Sequence, residues 1–301
     1  MARTSKVSGI AKDNGHETMI PLTVIIIAQN EEPNIETCLK SVIGWAQEVY
    51  VVDAFSTDAT PSLASALGAK VVQHEFINWA EQRNWALENL PIKTEWVFFL
   101  DADEVITYRF RDKLEQFMKL NCYNDLAGIY VRFRLWFLGK ELRHAYEAPP
   151  VIRIIRKGFA RWVSQGAREY CYLRGRTASI AEPIIHYDRK GISAWIDKQN
   201  RNATREAEEI LRGVRQEVQR QGLAKYTERP FRTWVRTQVY SRIPGLLRPF
   251  LHFGYRYLIR GGFLDGYPGF IFCFLHAFWY PLLIDAKVKE LQLMGKQDKR
   301  K

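Results

Sequence analysis

The chain has 301 residues, 47% hydrophobic and 26% charged, and 44 Lys and Arg against 33 Asp and Glu give a formal net charge of +11. This composition excludes a disordered chain. It fits one large or two modest folded domains with an anionic partner: a nucleotide, a nucleic acid or an acidic membrane surface. Cys38, Cys122, Cys171 and Cys273 lie far apart with no CxxC pair, which argues against a zinc cluster and for a reducing compartment.

Residues 1–20 are polar, lack the apolar core of a secretory signal, and read as a loose tail. From residue 22 strands and helices alternate. LTVIIIA (22–28) is a β-branched apolar run suited to a strand buried on both faces. In residues 29–45 Pro33 suits a first helical turn, and Ile35, Leu39 and Val42 share one helical face. EVYVVDA (48–54) is a second strand, and residues 56–69 form a helix opened by Pro61 and closed by Gly68. KVVQ (70–73) is a third strand, residues 78–90 a helix and EWVFFLD (95–101) a fourth strand. This order predicts an α/β fold built on an open, mostly parallel sheet. Residues 127–140 and 150–157 read as strands that make the sheet mixed, and residues 192–222 as a long polar helix with an apolar stripe.

The last third differs in character. Residues 225–262 carry eight Lys or Arg and one acid, Glu228, interleaved with rings such as Phe231, Trp234, Tyr240, Phe250 and Tyr257. Residues 263–284 are apolar and aromatic, but Asp265, His276, two Pro and two Gly interrupt them, so they make a poor spanning helix. Arginines among rings and leucines predict an amphipathic segment lying on an anionic membrane surface. No nucleic-acid recognition motif accompanies it, so no nucleic-acid partner is expected.

Ligands of open α/β sheets bind at the carboxyl ends of the strands, and polar residues gather there: AQNEE (28–32), then Asp53, then Asp101, Asp103 and Glu104. No GxGxxG or GxxxxGK[ST] loop is present, which removes dinucleotide and P-loop readings. In WVFFLDADE (96–104) a buried strand runs into three carboxylates, which repel unless something positive joins them. Two aspartates one residue apart suit a hard cation, Mg2+ or Mn2+, with positions left for phosphate oxygens.

These stretches, IIIAQNEEPNIETCLKSV, EVYVVDAFSTDAT, NWAEQRNWAL and WVFFLDADE, resemble the nucleotide-sugar half of family 2 glycosyltransferases, which have the glycosyltransferase A-type fold. Within that family the chain is most similar to the branch that builds lipopolysaccharide core and related envelope glycans. The resemblance runs on more weakly through REY, IIHYDRKGISAWIDKQNR and GGFLDGYPGF. It implies a catalytic domain over residues 21–222, with a nucleotide-sugar half (21–125) and an acceptor half (126–222), followed by a membrane-associating region (223–301).

The resemblance also implies roles. Ala28, Asn30, Glu31, Asp53, Arg83, Asn84 and Asp101 would line the nucleotide-sugar, with Ala54 standing where the family often has a second acid. Asp103 would be the main cation ligand, helped by Asp101 and His186, while Glu104 either ligates or orients. Glu169 would take the proton of the acceptor hydroxyl, with Arg168 where the family usually has a histidine. Lys198 and Arg201, at i and i+3, would clamp the departing diphosphate. The implied function is inverting sugar transfer from a nucleotide-sugar to a lipid-linked or membrane-bound glycan at the cytoplasmic face of the inner membrane. Two alternatives stand: a polyprenyl-phosphate sugar synthase, and a non-catalytic membrane adaptor of the same fold.

Overall fold

The computed structural model describes residues 19–120, 125–165, 168–212 and 247–298, and the chain divides into two compact units. The first comprises residues up to 141 together with 148–164 and 169–190; the second comprises 142–147, 165–168 and 191–301.

The first unit is an α/β layer structure. Strands β1 (Ile20–Ala28), β2 (Ala46–Asp53), β3 (Lys70–Gln73) and β4 (Trp96–Asp101) lie parallel in the order β4-β1-β2-β3. The sheet continues beyond β4 through β9 (Val151–Arg156), β6 (Leu126–Val131) and β12 (Arg176–Ser179). β9 is antiparallel to both β4 and β6, which makes the sheet mixed as expected. Alternate residues of β1 feed two cores, because successive side chains of a strand point to opposite faces. Leu22, Val24 and Ile26 pack with Ile35 and Leu39 of α1 (Glu32–Lys40) and with Phe110 and Leu114 of α4 (Tyr108–Lys119). Ile25 and Ile27 pack with Ala80 and Ala86 of α3 (Trp79–Asn89). Pro33 opens α1, α2 covers Thr60–Ala66, and the Asn78 side chain caps α3 by accepting the Glu81 N–H at 2.9 Å.

The expected strand 127–140 is broken. β6 ends at Val131, β7 covers Phe133–Phe137, and the chain turns at Leu138 (φ 47°) and Gly139 (φ 77°) before β8 (Lys140–Leu142). A smaller sheet follows the order β5-β13-β7-β8, with β5 at Glu104–Val105 and β13 at Ile184–His186. β10 (Ala160–Gln165) and β11 (Arg168–Leu173) form a ribbon.

The second unit contains α5 (Gly191–Arg212), expected in the acceptor half but grouped here with the C-terminal region. Tyr280 donates to Glu206 at 2.8 Å and Lys287 to Thr204 at 2.8 Å, which ties α5 to α8 (Tyr280–Asp298). Before α8 come α6 (Arg248–Gly254), a π-helical turn (Tyr255–Ile259), a 3-10 turn (Gly262–Asp265), α7 (Gly266–Cys273) and a second π-helical stretch (Phe274–Trp279). Gly269 is required by space: a Cβ there would lie 2.3 Å from the Gly262 carbonyl oxygen. The predicted basic stretch 225–246, like residues 213–222 of the predicted long helix, lies outside the described residues.

Candidate functional site

The parallel register sets the site. Ala28 pairs with Asp53 and Ile27 with Asp101, so both aspartates flank the end of β1 at the carboxyl edge. Asp53 is fully buried. Its Oδ2 accepts the Ser56 N–H at 3.0 Å, while Oδ1 has no hydrogen-bond partner among the described residues. Leaving a buried carboxylate oxygen unpaired is costly, so such an atom in a native fold calls for an explanation. The loops above it are cross-braced. Asn30 donates its N–H to Ser56 Oγ at 2.8 Å and accepts the Thr57 N–H at 2.8 Å. Asn30 (φ 52°) and Phe55 (φ 53°) both hold left-handed backbone, and the Phe55 ring is exposed. For a bulky residue that conformation is strained. The Ala28 carbonyl accepts the Ala54 N–H at 2.8 Å, so its backbone is part of the sheet edge.

The positive partner of the WVFFLDADE carboxylates is, in this fold, a pair of guanidiniums. Arg153 of β9 donates to Asp101 at 3.2 and 2.5 Å and to Glu104 at 2.7 Å. Arg83 of α3, buried beneath, reaches Asp101 at 3.4 Å and pairs with Glu169. Burial pushes the Asp101 carboxyl up, but Arg153 and Arg83 outweigh it and hold Asp101 below the usual carboxylate range. Glu104 keeps only 1% of its side chain exposed, against 30% for Asp101. Burial pushes Glu104 upward against the pull of Arg153. Its Oε2 also accepts the Asp101 N–H at 3.0 Å, so it orients the tip.

Asp103 is held separately. β13 runs antiparallel to β5, with His186 opposite Glu104, and Tyr187 donates its N–H to the Asp103 carbonyl at 2.8 Å. His186 Nε2 then lies 3.2 Å from Asp103 Oδ2. Two donors at right angles around an ion with bonds of about 2.1 Å sit about 3 Å apart, so this pair fits one divalent cation with the other positions left open. Asp101 is drawn to the guanidiniums instead of grouping with them. Among the described residues no three His, Cys, Asp or Glu form a ready-made metal centre.

The other predicted residues are distributed unevenly. Glu169 joins the cluster through Arg83. Glu31 accepts from Lys190 at 2.5 Å and from Asn34 at 2.8 Å, tying α1 to the end of β13. Both ends of the Asn84 amide are occupied by Trp162: Nδ2 donates to its carbonyl at 2.7 Å and Oδ1 accepts its N–H at 2.9 Å. Asn84, expected against the nucleotide, is therefore a clip between α3 and β10. Lys198 and Arg201 lie exposed on α5 in the second unit. Arg153 and Lys190 were missed. The signal for Arg153 is a cation inside an apolar strand, VIRII; Lys190 lies in IIHYDRKG, where spacing assigns it no role.

A profile of the family described as Glycosyl transferase family 2 matches residues 23–183, more than half of the chain. An uncharacterized glycosyltransferase of Rickettsia typhi is 29% identical over 148 residues, 48% of this chain and 50% of that one. The lipopolysaccharide core biosynthesis glycosyltransferase LpsC of Rhizobium meliloti is 28% identical over 161 residues, 50% of this chain and 56% of that one. The chain spans about half the length of these curated relatives. A crystal structure of glucosyl-3-phosphoglycerate synthase from Mycobacterium tuberculosis, in complex with Mn2+, uridine diphosphate and glucosyl-3-phosphoglycerate, overlaps 38% of this chain and 44% of that one. Its identity is 25% and its TM-score 0.32, too low to carry residue roles across.

Proposed function

This chain belongs to glycosyl transferase family 2, and on that premise we propose that it is an inverting, cation-dependent enzyme moving a sugar from a nucleotide-sugar to a lipid-linked or membrane-bound glycan. The observation that carries the reading is Asp53, whose buried and unpartnered Oδ1 stands at the carboxyl edge level with Asp101. A base N–H or ribose hydroxyl of the donor satisfies that oxygen. Asp103 and His186 would hold Mg2+ or Mn2+, which would supply positive charge to the donor diphosphate. Arg83 and Arg153 stabilise the negative charge that grows on the leaving group.

Glu169 is the base. In the ligand-free arrangement it is tied to Arg83. Diphosphate arriving beside Arg83 offers the guanidinium a second acceptor and releases the carboxylate. The acceptor hydroxyl gives its proton to Glu169 and its oxygen bonds to the anomeric carbon. The bond to the diphosphate breaks on the opposite face, and the nucleoside diphosphate leaves with the electron pair. The similarity to LpsC supports an acceptor in envelope polysaccharide synthesis. We assign the reaction to the cytoplasmic face of the inner membrane, where a soluble donor can meet such an acceptor.

The test is a panel of nucleotide-sugars screened for thermal stabilisation with and without Mn2+, followed by transfer assays of Glu169→Gln. One donor stabilising the protein, with transfer lowered about 10²- to 10⁴-fold in the variant, supports the reading. Full transfer in Glu169→Gln points instead to a phosphate acceptor that needs no base. Failure of every nucleotide-sugar to bind overturns the enzyme reading and leaves a non-catalytic adaptor.

A further inference from the structure

Residues 247–284 of the second unit form a helical hairpin whose apolar side faces outward. α6 and the π-helical turn after it run antiparallel to α7, joined at Gly261, which takes a left-handed φ of 74°. Phe253 and Tyr257 on one arm pack edge-to-face against Phe270 and Phe274 on the other, which holds the two arms together. On the outer side Leu251, Tyr255, Leu258 and Ile259 recur at i, i+4, i+7 and i+8, the spacing of one helical face. That face is solvent-exposed, with Leu258 at 63% and Ile259 at 77%. Tyr267 on the other arm is 72% exposed. An apolar stripe is normally the face a helix buries, and a continuous exposed one marks an interaction surface.

Two observations identify what covers it. The first is charge. Residues 247–264 contain Arg248, Arg256 and Arg260 and no acid; Arg260 pairs with Glu147 at the surface, Arg256 is half-buried against His276, and Arg248 is part-exposed. Arginines whose stems lie along apolar surface, beside tyrosines, suit a bilayer with phosphate headgroups. The second is hydropathy. The helix over Gly262–Met294 reaches a mean hydropathy of 1.5, long and apolar enough to cross a membrane, yet only 22% of its most apolar stretch is buried.

Its anchoring argues against a crossing. Asp265, at its start, accepts the backbone N–H groups of Arg143, His144 and Ala145 at 3.2, 2.9 and 2.8 Å. Tyr280 is bonded to Glu206 on the polar helix α5. The stretch between these two polar anchors spans about 22 Å, whereas the hydrocarbon core is about 30 Å thick. Both anchors cannot lie in water on opposite sides.

We propose that the 247–284 hairpin is a docking face for one leaflet of an anionic bilayer. Leu251, Leu258, Ile259 and Tyr267 enter the acyl boundary, Arg248 and Arg260 meet lipid phosphates, and no segment crosses to the far side. The proposal stands independently of the donor-site reading.

The experiment is flotation of the full-length chain with vesicles of phosphatidylcholine alone or mixed with phosphatidylglycerol, followed by alkaline carbonate extraction. The unmodified chain should float with the anionic vesicles and be released by carbonate. Leu258→Glu with Ile259→Glu should weaken partitioning by about 100-fold or more. Arg248→Gln should weaken it about 5-fold on anionic vesicles and leave neutral ones unchanged. Thermal melting with and without a nucleoside diphosphate reports the fold and the donor site apart from the membrane. Should the double variant melt lower, Tyr267→Glu provides the same comparison at a single exposed site. Carbonate-resistant insertion overturns the one-leaflet claim. Undiminished flotation of the variants, or no flotation with self-association abolished by Leu258→Glu, overturns the proposal, the latter by making the face a contact between copies of this chain.

Discussion

β2 carries a buried acid at each end, and the two are treated in opposite ways. At the amino end Glu48 is saturated: Thr23 Oγ1 donates to it at 2.9 Å, the Lys93 N–H at 2.9 Å and Lys70 Nζ at 3.3 Å. Thr23 is linked in turn to Thr94 at 2.7 Å. At the carboxyl end Asp53 is equally buried but keeps Oδ1 without a hydrogen-bond partner among the described residues. A satisfied buried acid fixes a fold, whereas an under-satisfied one calls for a further partner, a ligand, an ion or a water. The same sheet is closed chemistry at one edge and open chemistry at the other.

The strongest way to break this comparison is at the open edge. Asp103→Ala removes half of the Asp103–His186 pair and should lower transfer by about 10³-fold or more, in line with losing a main electrostatic contribution to the transition state. The thermal midpoint should stay close to that of the unmodified chain, since the hydrogen bonds by which Arg153 holds the tip go to Asp101 and Glu104. Transfer retained in this variant would remove the cation from the mechanism.

Arg153→Met comes next and acts on stability. It leaves Glu104 buried without its guanidinium and Asp101 with Arg83 alone. Breaking a buried pair by removing one partner costs about 3–5 kcal/mol, readable by urea denaturation. Adding Glu104→Gln should change that loss little, because burial pushes Glu104 up to about 8 and keeps it mostly protonated near neutral pH, which leaves the loss on Asp101. A loss below about 1 kcal/mol in the single variant would mean that the cluster is solvated and that Arg153 does not hold the tip.

The same contrast separates what the sequence made legible from what it did not. The parallel strands are readable because burial on both faces leaves unbroken runs such as TVIII and WVFFL, and the first polar residue after such a run marks the strand's end. Asp53 and Asp101 could therefore be placed at the carboxyl edge by local pattern alone. Arg153 could not. It reaches Asp101 only because β9 inserts antiparallel between β4 and β6, with Ile154 opposite Phe98. No local periodicity encodes that order, so the sequence makes a metal ion the partner of the acidic tip, gives Arg83 to the nucleotide and gives Arg153 no role. Asn84 differs from its expectation for a related reason: spacing along α3 reports its face, while the Trp162 backbone that occupies it comes from a ribbon 78 residues away. The break at Leu138 was hidden because RFRLWFLGK alternates and turns without a proline to mark it.

The most direct contrast, with the smallest effects, exchanges each acid of β2 for its amide. Asp53→Asn replaces the unpartnered oxygen's charge by a neutral group, so the fold should be unchanged or more stable while affinity for the nucleotide-sugar falls. Glu48→Gln should do the reverse, lowering stability and leaving affinity alone. Acid titration sharpens the second arm. Burial raises the Glu48 carboxyl, but the Lys93 N–H, Thr23 and Lys70 outweigh it and hold it below its ordinary value of 4.5. A group depressed on folding binds its proton more readily in the unfolded chain. Its stabilisation is therefore complete above the unfolded value and is lost as pH falls through the folded one. The stability gap between the unmodified chain and Glu48→Gln should thus be constant from pH 7 down to about 5 and narrow at lower pH. Urea midpoints measured across that range check it. A gap that widens on acidification would mean that Glu48 is not stabilised in its charged form, and the two ends of β2 would no longer differ in the way that marks the carboxyl edge as the working one.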